Sequence, residues 1–153
     1  MSQLSSTDSK ANIKLLKDLA NKAYPDQPIL ADMTIVQGIL EGGLQKAPPS
    51  LLAIKYNNLF GIKGQGTKGS VTLMTYEDTP DKGRVQIPQQ FAYNASVEDS
   101  VLQHKILLSK DRYVKVGLSK TFPEAAQAIK DAGYATDIHY PQLLIDTYNQ
   151  YVK

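Results

Sequence analysis

Gln37-Gly38-Ile39-Leu40-Glu41-Gly42-Gly43, followed after a short linker by Tyr56-Asn57-Asn58-Leu59-Phe60-Gly61-Ile62-Lys63, decides how the rest of the chain is read. The first run closes a segment beginning at Pro28. Its residues Ile29, Leu30, Met33, Ile35, Val36, Ile39 and Leu40 are apolar over most of a helix's circumference, the pattern of a central, buried helix. Pro28 suits the first turn, where a missing N–H costs little. Gly42-Gly43 stop the helix, and Pro48-Pro49 forbid an immediate restart. One carboxylate, Glu41, therefore stands where an apolar helix meets a turn-rich loop, at the lip of a cleft. Apolar walls disfavour the charged form of a carboxyl and keep it protonated nearer neutral pH, as a proton donor requires. The plainer reading, a charged residue that merely ends a helix, sets Glu41 against the negative end of the helix dipole, a cost under ~1 kcal/mol when exposed.

Working outward, the apolar positions Ile13, Leu15, Leu16, Leu19 and Ala23 recur near helical spacing and predict an amphipathic helix from Asp8 to Ala23. Ser50 to Tyr56 reads as a short helix. Val71 to Tyr76 and Arg84 to Phe91 read as two extended segments around the turn-rich Asp78 to Gly83, a small hairpin lobe with Pro88 at an edge. Ser96 and Asp99 open a helix through Leu108 in the manner of a capping box, and Thr121 and Glu124 open another that ends at Gly133. A last helix covers Tyr140 to Val152, with Asp137 available as its N-cap. Helices, a hairpin, then helices predict an α+β fold, mainly helical, with a groove between two lobes.

At 153 residues the chain suits one domain with its own core, residues 1–153, with 1–7 expected to be flexible. No apolar run approaches the ~20 residues of a membrane span, so no membrane insertion is expected. The start MSQLSSTDSK lacks the features of a secretory signal, which predicts a protein made in the cytoplasm without one. Without cysteine there is neither a disulfide nor a thiolate metal site, and HExxH is absent, so no metal or cofactor is expected. The net charge of +2 is compatible with an anionic polymer such as a cell wall and too small to argue for nucleic acid. A monomer is expected.

Gly64-Gln65-Gly66-Thr67-Lys68-Gly69 fits the GxGxxG pattern, but dinucleotide binding needs a helix after it and Ser70 to Tyr76 reads as strand. The glycines are read as a lobe connection. Glu77 follows the first strand, where it would face a groove as a base for water or sit as a solvated turn residue. Tyr134, in a tight loop between helices, is a candidate to line the groove.

Gln37-Gly38-Ile39-Leu40-Glu41, Asn57-Asn58-Leu59-Phe60-Gly61-Ile62-Lys63 and Ala132-Gly133-Tyr134-Ala135-Thr136-Asp137 together resemble the bacterial and phage peptidoglycan glucosaminidases of glycoside hydrolase family 73. The likeness runs from about Pro28 to Tyr151 in the right order. It implies a lysozyme-like fold, no cofactor, and hydrolysis of the β-1,4 bond after N-acetylglucosamine in peptidoglycan glycan strands. By motif, Glu41 matches the catalytic acid, Glu77 the second acidic residue of the hairpin lobe, and Tyr134 the aromatic residue that holds substrate; Asn58 and Phe60 are expected to shape the groove floor. Two departures stand out: Glu41-Gly42-Gly43-Leu44 where the family usually continues into a tryptophan, and Tyr76 before Glu77 where the family more often has Thr-Glu-Tyr. A one-residue slip in strand register would turn Glu77 to the other face. The alternatives are a muramidase that cuts the other glycosidic bond, or a non-catalytic wall-binding or virion module. The expected setting is a phage endolysin or virion-associated lysin.

Overall fold

A computed structural model of the chain describes residues 2–153. Its centre is the helix expected from the opening motif. With α1 at Ser9–Ala23, this second helix, α2, spans Pro28–Gly42 and buries nine of its 15 residues, so it has no solvent face to speak of. Gly43 ends it in the left-handed conformation (φ +63°), its N–H bonded to Ile39 O. One face of α2 (Ile35, Ile39) packs with Leu16 and Ala20 of α1, with Leu44, Leu59 and Phe60, and with Val97 and Val101. The other face (Met33, Val36) packs with Tyr113, Val116, Phe122, Ile129, Tyr140 and Leu144. Two hydrophobic clusters thus share one helix, and α2 stands between them.

The remaining elements follow the sequence closely, apart from the short turn and helix over 111–118, for which no element was expected. Ser50 caps α3 (Leu51–Tyr56) by accepting the Ala53 N–H, and Asn57 closes it at φ +49°. Strands β1 (Ser70–Thr79) and β2 (Gly83–Ala92) pair antiparallel, and α4 (Val97–Leu108), α5 (Val114–Leu118), α6 (Phe122–Asp131) and α7 (Tyr140–Tyr151) complete the chain, with a 3-10 turn at Asp111–Tyr113 before α5. The strands reach further toward the turn than predicted, because Asp78 pairs with Arg84 and Thr79 with Gly83. The turn-forming residues there are strand residues once a partner strand is present. Ile62 and Gly64 bond Ala92 and Gln90, which fastens the base of the hairpin to the loop after α3. Beyond that base the strands pack on each other and hardly on the helices.

Three local expectations are corrected. Residues 2–7, expected to be flexible, are tied down: Leu4 lies in the first cluster, Ser2 donates from N and Oγ to the Glu98 carboxylate, and Ser5 exchanges hydrogen bonds with Asn12; Met1 lies outside the described residues. Asp137 does not cap α7. His139 occupies that position, and the Asp137 carboxylate, two residues before it, accepts the His139 N–H. In the opening of α4, Ser96 Oγ accepts the Asp99 N–H as a cap should, but the Asp99 carboxylate accepts from Thr67 Oγ1 at 2.8 Å rather than closing the box.

The GxGxxG run leads into β1, not a helix, and forms a tight turn with Gly66 and Gly69 bonded to each other. Gly66 is required there by space: a Cβ on it would collide with Asn94 Oδ1 and the Tyr93 carbonyl. No helix among the described residues is long and apolar enough to cross a membrane.

Candidate active site

Glu41 occupies the last turn of α2, where the helix leaves the core. Its carboxyl opens onto a trough of about 480 Å³ lined by Phe60, Ile62 and Lys63 on one side and by Lys110, Arg112, Tyr113 and Tyr134 on the other. As a residue Glu41 is exposed. Its inner side faces an aromatic wall. The rings of Tyr134 and Tyr140 stack at 6.0 Å and 9° from parallel, Tyr113 lies 6.0 Å from Tyr134, and Phe60 stacks on His104 at 4.0 Å. Burial against that wall pushes the Glu41 pKa above the ordinary carboxylate value, and the bond donated by Tyr140 Oη to Oε1 at 3.3 Å works in the opposite sense. Desolvation dominates, so the carboxyl holds its proton to higher pH than a free glutamate.

Tyr140 is itself held. Gln37 lies one helical turn before Glu41 on the same face of α2, and its Nε2 donates to Tyr140 Oη at 2.9 Å. Gln37 Oε1 meets His104 Nε2 at 2.7 Å, and His104 Nδ1 lies 3.4 Å from Thr34 Oγ1. Gln37, His104 and Thr34 are fully buried. Burial drops the His104 pKa to about 3, which favours the neutral ring. Burial likewise raises both Tyr134 and Tyr140 far above the ordinary phenol value, and the nearby Glu41 charge adds to it. No cluster of three His, Asp or Glu suited to a metal ion occurs among the described residues.

A sequence model of the glucosaminidases, described as mannosyl-glycoprotein endo-beta-N-acetylglucosaminidase, matches residues 17–153. The chain belongs to the glucosaminidase family. Among curated relatives, exo-glucosaminidase LytG of Bacillus subtilis (strain 168) is 35% identical over 135 residues, covering 84% of this chain and 46% of that protein. Peptidoglycan hydrolase FlgJ of Escherichia coli (strain K12) is 30% identical over 152 residues, covering 94% and 47%. The chain thus spans about half the length of the curated relatives it matches. The catalytic domain of the autolysin Auto from Listeria monocytogenes superposes with a TM-score of 0.81 at 28% identity, covering 97% of this chain and 88% of that one. The lysozyme-like, mixed helical and hairpin fold expected from the sequence is therefore the fold of this chain.

The candidate residues are not all brought together. Glu41, Phe60 and Tyr134 line the trough, Phe60 with its other face in the core. Asn58, expected on the groove floor, does not line it. It is buried beneath the loop, where its amide accepts the Ile62 N–H and donates to the Ile62 and Ala92 carbonyls, tying loop to hairpin. Glu77 is exposed and outside the trough lining. Its pairing with Val85 sets it on the strand face of Leu73, Thr75 and Ile87, which are half-buried, whereas Tyr76 lies on the open face. Six residue steps along the strand separate Glu77 from Val71 at the base, a span of roughly 20 Å. Sequence reasoning missed Tyr140, Gln37 and His104. The signals were present: Gln37 is four residues before Glu41, and His104 falls on the buried stripe Val97, Ser100, Val101, Leu108 of α4.

Proposed function

We propose that this glucosaminidase hydrolyses the β-1,4 bond after N-acetylglucosamine in peptidoglycan, with Glu41 as general acid. The observation that carries the proposal is the Glu41 carboxyl: it lines a trough of about 480 Å³, is backed by aromatic rings, and accepts a hydrogen bond from Tyr140 Oη on Oε1. Glu41 gives that proton to the glycosidic oxygen as the C–O bond breaks, the bonding electrons leave with the oxygen, and positive charge develops at the anomeric carbon. Tyr134 supplies a flat, uncharged surface on which a sugar ring rests. Lys63, Lys110 and Arg112 line the same trough and suit the acidic groups of a wall polymer.

Glu77 is proposed as the group that takes a proton from attacking water on the opposite side of the sugar, which gives inversion when the two carboxyls stand roughly 6.5–9.5 Å apart. Its place near the far part of a hairpin fastened at the base means that this role requires the hairpin to lean over the bound glycan. The substrate's own 2-acetamido oxygen is the other nucleophile available to the same site. Residues 1–153 are proposed to act as one monomeric catalytic domain on the bacterial wall, in the setting of phage-driven lysis.

Mass spectrometry of purified peptidoglycan after digestion tests the proposal. Fragments with N-acetylglucosamine at the reducing end are expected, in oligomers for endo cleavage and in single disaccharide units for exo cleavage of the kind in LytG's name. Reducing-end N-acetylmuramic acid would make the protein a muramidase, and unchanged walls would leave it a wall-binding module.

A further inference from the structure

Beside the trough lies a second cleft that the role of Glu41 leaves unused. It measures about 320 Å³, within the size range of small-ligand clefts, and runs between the start of α2, the end of α4 and α5. Tyr24 and Leu30 form its apolar floor and Val114 and Leu118 one wall, while Lys105, Lys110 and Asp111 supply its charged groups. Lys110 and Tyr113 border both cavities, so the cleft is a side branch of the trough.

Nothing in the fold requires this surface. Val114 and Leu118 are 59% and 74% exposed, although they stand one turn apart on the same face of α5. Single exposed apolar residues are ordinary, but two of them on one turn, lining a concave cleft, are the composition of a binding surface. The charges are free as well. Lys105 Nζ donates to the Ala23 carbonyl at 2.6 Å and lies 5.0 Å from the centre of the Tyr24 ring. Among the described residues, Lys105, Lys110 and Asp111 form no ion pair.

We propose that this side cleft binds the peptide stem of the glycan strand whose sugars lie in the trough. The proposal rests on the reading of the trough as a peptidoglycan groove. A stem leaves the strand from the lactyl ether of N-acetylmuramic acid. It is built mainly of small residues, carries free carboxylates, and has one amino group on its diamino residue. Its methyl groups suit Leu30, Val114 and Leu118, its carboxylates suit Lys105 and Lys110, and its amine suits Asp111. The reach also fits. From Gln27 in the cleft to Glu41 in the trough is about 20 Å along α2. An extended stem of five residues spans on the order of 17 Å. A stem that leaves the trough beside Lys110 and Tyr113 therefore fills the cleft while a glycosidic bond of the same strand lies at Glu41.

The test compares kcat/KM on soluble, uncrosslinked strands that carry stems with that on the same strands after an amidase has removed them. The full-length wild type is measured beside Leu118→Glu and Lys105→Gln, whose sites are exposed and outside the trough lining. Wild type should favour stem-bearing strands by about five-fold or more, and each variant should cut that preference to about two-fold or less. Rates on stem-free strands should be unchanged. Equal wild-type rates on the two substrates, a preference that survives both variants, or an equal loss on both substrates overturns the proposal. Binding supplies the second arm. Free stem peptide added to the ¹⁵N-labelled protein should shift the amide signals of Val114 to Leu118, and do so more weakly in Leu118→Glu. Signals that move with polyglycerol phosphate and not with the peptide also overturn it. Stem-free strands report on the trough alone and free peptide on the cleft alone. Peptide shifts without hydrolysis of either substrate reject the glycosidase reading and leave the stem site standing. Equal hydrolysis of both substrates without peptide shifts does the opposite.

Discussion

A single hydroxyl decides how Glu41 behaves. Among the described residues Tyr140 Oη is the one hydrogen-bond donor on the carboxyl, and it favours the ionised form against the burial that favours the neutral one. Tyr140→Phe is therefore expected to move the alkaline limb of the pH–rate profile of kcat/KM to higher pH while lowering kcat by about ten-fold, since the acid loses its fixed rotamer; an alkaline limb that moves to lower pH would reverse the sign argued here. The same raised pKa links to stability. A carboxyl whose folded pKa exceeds its unfolded value binds its proton more tightly in the fold, so its effect costs nothing below the unfolded pKa and destabilises progressively as pH rises through the folded one. It also sits at the negative end of α2, where a carboxylate costs about 0.3–1 kcal/mol. Glu41→Gln should thus melt on the order of 1–3 °C higher than wild type at neutral pH, with the difference fading toward pH 4 in paired thermal denaturation. Glu41 itself was legible in the sequence because Gly42-Gly43 follow it immediately. Its three supporting residues left only partial signals: Gln37 lies one turn before Glu41 and His104 on the buried stripe of α4, but which groups they and Tyr140 bond is set only when α7 and α4 are laid against α2.

The elements explain where that legibility stops. Helices α1, α2, α4, α6 and α7 carry both apolar periodicity and punctuating Gly, Pro, Ser or Thr, and they fall within a few residues of expectation. Helix α5 has only five residues, too short to form by propensity, and exists because Tyr113 and Val116 are buried beside α2 and α6. The α1–α2 crossing leaves no room for a side chain at Gly38. A Cβ at Gly38 would meet the fully buried Leu16 side chain and lie 3.3 Å from Phe60, which also lines the trough. Gly38→Ala should cost about 1–3 kcal/mol in chemical denaturation; a neutral result would show that Leu16 has room to repack. At the hairpin, strand pairing fixes Glu77 on the half-buried face, but only the base of the element is anchored. Glu77→Gln is expected to lower kcat by about 10²–10⁴-fold without changing stability if it activates water, and the loss should be rescued by a small added nucleophile such as azide. A variant within two-fold of wild type would assign that step to the substrate's acetamido group.

At the scale of the molecule, one buried helix organises everything. Two hydrophobic clusters meet on α2, the helix carries Gln37 inside and Glu41 at its exit, and the trough opens where the clusters part. That arrangement places the Glu41 carboxyl, the proposed proton donor, at the junction of dry core and open groove, where burial raises its pKa. The most direct measurement is kcat/KM on purified peptidoglycan for wild type and Glu41→Gln, each checked for folding by circular dichroism. A loss of about 10²–10⁴-fold with an unchanged fold is predicted. A folded Glu41→Gln protein that still cleaves glycan strands near the wild-type rate would contradict it.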